Sequence, residues 1–220
     1  MSYVVIGGGP YASELLYYIK HIDCGRNGDY HIVANDFNDF EFLKENNIKV
    51  TIHKDIDKFF KDNQFPKFVY FGSGKSNIRI KMFNEVNKYF DNLIGIGNPI
   101  IVDSIIHTNN IGFGTVFAPG SFAAPGSKIG NNVLVNYNAV VSHHSIIEDF
   151  VSVGPNSFIG GKCIVKHGAY IGAGVCIREK ITIGENAIIG MGAVVTSDVP
   201  DGITVVGIPA KQISLKGGWK

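Results

Sequence analysis

The sequence predicts a two-domain chain, in which a small α/β domain is followed by a parallel β-helix. Strand and helix signals alternate through the first predicted domain, residues 1–98, and a strict six-residue repeat runs from Ile105 to Val195 in the second, residues 99–220. The charge density also changes: residues 1–104 carry 12 basic and 13 acidic residues, whereas residues 105–194 carry 5 basic and 4 acidic residues. The Gly- and Pro-containing segment Gly95–Pro99 is the predicted link between the domains.

The N-terminal elements alternate between short buried strands and amphipathic helices. Helix Pro10–Ile22 carries Pro in its first turn, where the missing N–H costs nothing. The predicted strands are Tyr3–Ile6, Tyr30–Ala34 and Lys67–Phe71. The other predicted helices are Asn38–Asn46, Asp55–Asp62 and Ser76–Tyr89. This order predicts a parallel sheet of Rossmann type, about half the usual size.

The glycine-rich segment Gly7–Ala12 fits the pattern G-x-G-x-x-A between the first strand and the first helix. Such a turn aims backbone N–H groups at a phosphate beside a helix N-terminus. Asp36, after the second strand, is a candidate contact to a ribose or a base. A dehydrogenase is disfavoured, because the sheet is small and no domain for hydride transfer follows.

The C-terminal repeat places Ile or Val at 14 of the 16 positions taken every sixth residue from Ile105 to Val195. A hexad repeat of this kind is typical of a parallel β-helix with one inward aliphatic side chain per face. Three hexads make a coil of 18 residues, so the repeat predicts about five coils. Residues 18 apart then stack on neighbouring coils.

Composition excludes several classes of protein. The formal net charge of +1 argues against a nucleic-acid-binding protein, and the apolar runs are too short for a membrane span. The N-terminal residues lack the features of a secretory signal. Cys24, Cys163 and Cys176 are isolated, which favours a reducing cytoplasm without disulfides.

With these hexads and the tail Thr204–Lys211 after Asp198-Val199-Pro200, the chain resembles the left-handed β-helix hexapeptide acyltransferases. It is most similar to the bacterial sugar acetyltransferases that carry a Rossmann-like N-terminal domain. The resemblance implies left-handed coils, acetyl-CoA as donor, and a cytoplasmic homotrimer with donor sites between subunits. It also implies N-acetylation of a nucleotide-linked 4-amino-4,6-dideoxy sugar for surface glycans. O-acetylation of a sugar such as sialic acid is the alternative.

The resemblance also implies site residues, with two departures from the family pattern. His143 matches the general base of the family, and Asn136 matches a family Asn seven residues earlier. His144 stands where the family has an acid, and Glu148 is a candidate replacement for that acid. The implied donor contacts are Ser152 (where the family has a second His), Gly161, Ala173 and Met191. The implied nucleotide-sugar contacts are Gly9, Pro10, Tyr11, Asn35, Asp36 and Gly72, although the family usually has Gly-His-Gly where this chain has Pro10-Tyr11-Ala12. The alternative is that the N-terminal domain binds no nucleotide-sugar and only packs against the β-helix.

The predicted stacking of coils gives an argument for His143 as a site residue that does not depend on the resemblance. His143 precedes Gly161 by 18 residues, and a glycine there leaves room for a thioester and exposes a backbone N–H. If the chain is extended, His144 is expected on the other side of the coil wall, beside Lys162. Two rival hypotheses stay open: a zinc site of β-helix carbonic anhydrase type using His143, His144 and His167, and a non-catalytic scaffold. The favoured interpretation has no metal.

Overall fold

The computed structural model describes residues 2–22, 28–35, 39–62, 67–89 and 97–213 of the chain. The chain divides into two compact units, Met1–Ile100 and Ile101–Lys220. Asp36, and Gly95 and Ile96 of the predicted link, lie outside the described residues.

The N-terminal unit is a four-stranded parallel sheet with helices between its strands. The strands are β1 (Ser2–Ile6), β2 (Asp29–Val33), β3 (Thr51–His53) and β4 (Lys67–Phe71), in the order β3-β2-β1-β4. The helices are α1 (Pro10–Ile22), α2 (Phe40–Glu45), α3 (Ile56–Asp62) and α4 (Ser76–Val86), followed by a 3-10 turn at Asn87–Tyr89. The half-size Rossmann-like sheet is therefore confirmed. Strand β3 was not predicted, because its three residues contain a single aliphatic side chain.

The first helix packs through one face. Its buried apolar residues Ala12, Leu15, Leu16 and Ile19 recur at the three- and four-residue spacing of one helical stripe. Gly72, after β4, allows this close packing, because a Cβ there would lie 2.7 Å from the Cβ of Ala12. Among the described residues, no helix is both long enough and apolar enough to cross a bilayer.

The C-terminal unit is a left-handed parallel β-helix with three faces. Face 1 contains strands Ile100–Ile101, Val116–Phe117, Leu134–Val135, Ser152–Val153, Tyr170–Ile171, Ile188–Ile189, Thr204–Val206 and the antiparallel Lys211–Gln212. Face 2 contains Ile105–Ile106, Phe122–Ala123, Val140–Val141, Phe158–Ile159, Cys176–Ile177 and Val194–Val195. Face 3 contains Lys128–Ile129, Ile146–Ile147, Ile164–Val165 and Thr182–Ile183. We call the turns between these faces corner 1–2, corner 2–3 and corner 3–1.

The hexad repeat predicts the interior correctly from Phe117 to Val195, where every sixth residue is buried. It fails at the first coil. Ile105 is 60% exposed, and Ile106 is packed against the core instead. The reason is a change of register: Ile105 pairs with Phe122, 17 residues on, whereas later strands on this face pair 18 residues apart.

The corners share one backbone conformation. Every sixth residue from Gly114 to Gly192 has a positive φ, a region that favours Gly and tolerates Asn. Most of these 14 positions are accordingly Gly or Asn. The exceptions are His144, Phe150, Lys162 and Lys180, with φ values of 59°, 61°, 60° and 60°.

Candidate functional site

His143 lies at corner 2–3, in the turn between Val140–Val141 and Ile146–Ile147, and its side chain is exposed. The stacking expected from the 18-residue coil is present, because the imidazole covers Gly161 on the next coil. A Cβ at Gly161 would lie 2.6 Å from Nε2 and 2.7 Å from Cε1 of His143. Glycine is therefore the residue that lets this imidazole approach the neighbouring corner so closely.

The Gly161 N–H points away from the coil interior. The Ser145 hydroxyl, which is buried, donates to the Gly160 carbonyl at 2.9 Å and so holds that oxygen inward. In a trans peptide the N–H lies opposite the carbonyl. Within the described residues, no oxygen accepts a hydrogen bond from the Gly161 N–H. An outward donor beside an imidazole can stabilise an oxyanion.

At corner 3–1, side chains accept several of the equivalent backbone N–H groups. Asp149 Oδ1 accepts from the Asn131 N–H at 2.7 Å, and Glu148 Oε2 accepts from the His167 N–H at 2.9 Å. Asp201 Oδ1 accepts from the Glu185 N–H at 2.8 Å. These three backbone donors of corner 3–1 are thus engaged within the protein. The Gly161 N–H has no such acceptor, and in the described part of the chain the Ala173 N–H at corner 1–2 shares this arrangement, since the Ser157 hydroxyl donates to the Gly172 carbonyl at 2.7 Å.

His144 lies on the same side of the wall as His143, so the expectation that it faces the other side is wrong. The two Nδ1 atoms are 3.1 Å apart, and the rings meet edge to face at 5.3 Å between centroids. The expectation assumed an extended chain, but the left-handed φ of His144 turns its side chain back towards its neighbour. The ring also covers Gly126 of the preceding coil, where a Cβ would lie 3.0 Å from Cδ2.

Three of the other predicted residues lie at corner 1–2 instead. Asn136 accepts the Tyr137 N–H through Oδ1 at 2.8 Å. Ala173 and Met191 occupy the same corner position as Tyr137, 36 and 54 residues further along the chain, and Met191 is 70% exposed. Within one chain, one side of the coil triangle separates this group from His143 and Gly161.

The remaining predicted residues of the β-helix lie elsewhere. Ser152 is on face 1 and is only 2% exposed. Glu148 and His167 are at corner 3–1, where a groove of about 600 Å³ runs along the coils. The structure therefore brings neither the Glu148 carboxylate nor His167 to His143. In the described ranges, no three His, Cys, Asp or Glu side chains converge as metal ligands.

The predicted acceptor residues gather at one edge of the N-terminal sheet. Gly9 and Pro10 follow β1 and are exposed, Asn35 follows β2, and Gly72 follows β4. Parallel strands end at the same edge, and the strand order reverses between β1 and β4, which is where α/β sheets bind ligands. A Cβ at Gly9 would meet no atom within 4 Å.

Sequence reasoning missed Arg79 at this edge. Arg79 is 4% exposed on α4, and its Nη1 donates to the Ser73 carbonyl at 3.0 Å. Burial lowers the pKa of its guanidinium to about 10, while the Tyr11 hydroxyl acts in the opposite direction. Burial also raises the pKa of Tyr11 well above its ordinary value. The signal in the sequence was weak, because a single Arg in a helix is usually a surface residue.

Comparison with protein-family models and with curated proteins gives no match. Solved structures do match over nearly the full length. A mutant of GDP-perosamine N-acetyltransferase from Caulobacter crescentus, in complex with CoA and GDP-perosamine, has a TM-score of 0.79 at 21% identity, with 97% of each chain covered. The acetyltransferase domain of PglB from Neisseria gonorrhoeae has a TM-score of 0.76 at 23% identity, covering 96% of this chain and 99% of that one.

WeeI from Acinetobacter baumannii has a TM-score of 0.79 at 23% identity, covering 97% of this chain and all of that one. At these identities the likeness concerns the fold. The chain shares the two-part fold of these proteins, an α/β unit joined to a left-handed β-helix.

Proposed function

We propose that the protein is an acetyl-CoA-dependent N-acetyltransferase of a nucleotide-linked 4-amino-4,6-dideoxy sugar. The observation that carries the proposal is the pairing, at corner 2–3, of an exposed imidazole edge with an outward backbone N–H. A base and an oxyanion donor side by side are what acyl transfer from a thioester requires. The fold supports the same conclusion, since similar structures include a GDP-perosamine N-acetyltransferase with CoA and GDP-perosamine.

In the proposed reaction, the acceptor amine attacks the thioester carbonyl. Nε2 of His143 takes the proton from the attacking nitrogen. The Gly161 N–H donates to the carbonyl oxygen while it carries negative charge. The C–N bond forms, the C–S bond breaks, and the proton held by His143 passes to the sulfur. An imidazole can both take up and release a proton at neutral pH, which suits both transfers.

The division of the proposed catalytic and donor-binding residues between two corners supports a homotrimer. Asn136, Ala173 and Met191 at corner 1–2 can act with His143 and Gly161 at corner 2–3 only if they come from another subunit. The outer surface of the β-helix fits such packing, because apolar side chains stand outward on both sides of corner 2–3. They include Phe158 (45% exposed), Ile146 and Ile164 (36% each), together with Cys176. We leave Ser152 out of the donor site, since it is buried on face 1.

For the acceptor, we propose that the loop of Gly9, Pro10 and Tyr11 holds the phosphates, with Asn35 and Asp36 towards the base and ribose. Backbone N–H groups at the start of α1 and the buried charge of Arg79 favour an anion at this edge. Gly72 has a packing role that explains it without a ligand. We place the reaction in the cytoplasm, among the steps that prepare surface polysaccharide precursors.

A panel assay tests the proposal. Acetyl-CoA is paired with UDP-, dTDP- and GDP-linked amino sugars and with free sialic acid, and the release of free thiol is followed. Acceleration with an amino sugar supports N-acetylation, whereas acceleration with sialic acid alone supports O-acetylation. Sedimentation of the purified protein tests the trimer, and full activity at the monomer mass would contradict it. Failure with every acceptor, together with failure to bind coenzyme A, would favour a scaffold.

A further inference from the structure

The pair formed by His143 and His144 has a consequence for the proton on each ring. A neutral imidazole carries one N–H, and His143 can act as a base at Nε2 only if its proton is on Nδ1. An Nδ1–H that faces another atom at 3.1 Å needs that atom to accept a hydrogen bond. The facing atom is Nδ1 of His144, which accepts when His144 carries its own proton on Nε2.

We propose that His144 is a positioning residue, whose Nδ1 accepts a hydrogen bond from Nδ1 of His143 and keeps Nε2 of His143 free to take up a proton. This inference rests on the proposed function. His144 does not touch the reacting atoms, since its ring covers Gly126 of the preceding coil while His143 covers Gly161 of the following one.

The hydrogen bond strengthens during the proposed reaction. When His143 takes up the amine proton it becomes an imidazolium, and Nδ1 is then a donor in every case. A donor with a full positive charge makes a stronger hydrogen bond than a neutral one. His144 therefore stabilises the charged state of His143 more than the neutral state, which lowers the barrier to proton transfer.

The backbone at His144 fits this role. Its φ of 59° is what turns two successive side chains to the same side, and His is one of the residues enriched in this region. The family acid is absent at this position, so the protein obtains its acceptor from a neutral ring. A neutral acceptor orients the base without adding negative charge beside the thioester.

The test compares His144→Gly with His144→Asn. Glycine keeps the left-handed backbone and removes the acceptor, whereas Asn also tolerates this backbone and offers an amide oxygen. We expect His144→Gly to lower kcat about 10- to 100-fold, the usual effect of losing a hydrogen bond to a charged group. The KM for acetyl-CoA should be unchanged, and His144→Asn should recover part of kcat. Lys180→Gly is the matched control, because Lys180 has the same φ at the same corner two coils on, and its kcat should equal that of the wild type.

A second measurement does not depend on activity. Nitrogen NMR of histidine-labelled protein reports which ring nitrogen carries the proton, and His143→Ala and His144→Gly assign the two rings. We expect the Nδ1–H form of His143 in the wild type and a mixture in His144→Gly. A His143 protonated at Nε2 in the neutral wild type would overturn the proposal, as would full kcat in His144→Gly. If no acceptor is acetylated, the proposed function fails, and the NMR result still decides whether the hydrogen bond exists.

Discussion

Replacing Gly161 by alanine adds a methyl group directly under the imidazole of His143. The added Cβ would lie 2.6 Å from Nε2, whereas ordinary contacts begin near 3.4 Å, so the ring must withdraw by about 0.8 Å. His143 is exposed and its side chain can move, so the fold should tolerate the change. A displacement of about 1 Å can cost roughly 10²-fold in rate, and we expect a loss of that size in kcat.

The neighbouring glycine provides a matched control. A Cβ at Gly160 would lie 2.5 Å from the backbone nitrogen of Glu179, on the next coil. Backbone cannot withdraw without disturbing the stack. Gly160→Ala should therefore lower Tm, whereas Gly161→Ala should lower kcat at an unchanged Tm. Thermal unfolding and the thiol-release assay, run on both variants, separate the two effects.

A double-mutant cycle shows whether the effect passes through the base. If Gly161→Ala acts by displacing His143, it should cost little in a His143→Ala background, because contacting residues are not additive. If instead the losses of kcat in the two single variants multiply in the double variant, the methyl group blocks acetyl-CoA directly. The KM for acetyl-CoA should then rise. Full activity of Gly161→Ala would refute the assigned geometry of the base and the oxyanion donor.

Three further predictions concern single positions. His143→Ala and His143→Asn should each lower kcat by a factor of about 10²–10⁴, the usual contribution of a general base. The affinity for acetyl-CoA, measured by calorimetry, should stay unchanged. Wild-type rates in both variants would show that His143 takes no part in the chemistry. Gly9→Phe should raise the KM for the acceptor without changing Tm, because the position opens to solvent, and an unchanged acceptor KM would mean that the loop binds no nucleotide. A hydrogen bond from the Glu185 N–H, and then one from Lys166, hold the pKa of Asp201 in the folded protein below its ordinary 3.8. The Asp201 carboxylate therefore stabilises the folded protein above pH 3.8, and this stabilisation is lost as the pH falls through the lower pKa of the folded state. The Tm difference between Asp201→Asn and the wild type should therefore vanish in acid, and a difference that persists there would exclude this charge as its cause.

The sequence allowed the β-helix to be predicted because its period is enforced by burial at every turn. Inward positions from Phe117 to Val195 have one structural role each, so a single aliphatic per hexad marks them. Ile105 does not follow this pattern, because it is exposed. At the end of the stack only one neighbouring coil constrains the register, and a shift of one residue exchanges the inward and outward positions.

The position of His144 could also have been predicted from the sequence. Gly114, Gly120, Gly126, Asn132 and Asn138 precede it at intervals of six residues, and each has a positive φ. This run of Gly and Asn marks the left-handed corner position, and His144 continues it. The side-chain direction therefore follows from the corner register, whereas the assumption of an extended chain gives the opposite face. Arg79 could not have been found in this way, since its burial depends on packing at the sheet edge.

The β-helix also determines how the site responds to partial unfolding. Each coil contacts only the coils directly before and after it, so thermal opening should begin at the ends of the stack and travel inward. The coil of His143 is held on both sides: the Phe122 N–H bonds to Ala139, and the Val140 N–H bonds to Ser157 on the following coil. Amide exchange should consequently be slower in this coil than in the terminal coils. Molecules whose terminal coils have opened would still keep the imidazole and its glycine in contact, so this pair should outlast the contacts that Met191 makes from a terminal coil.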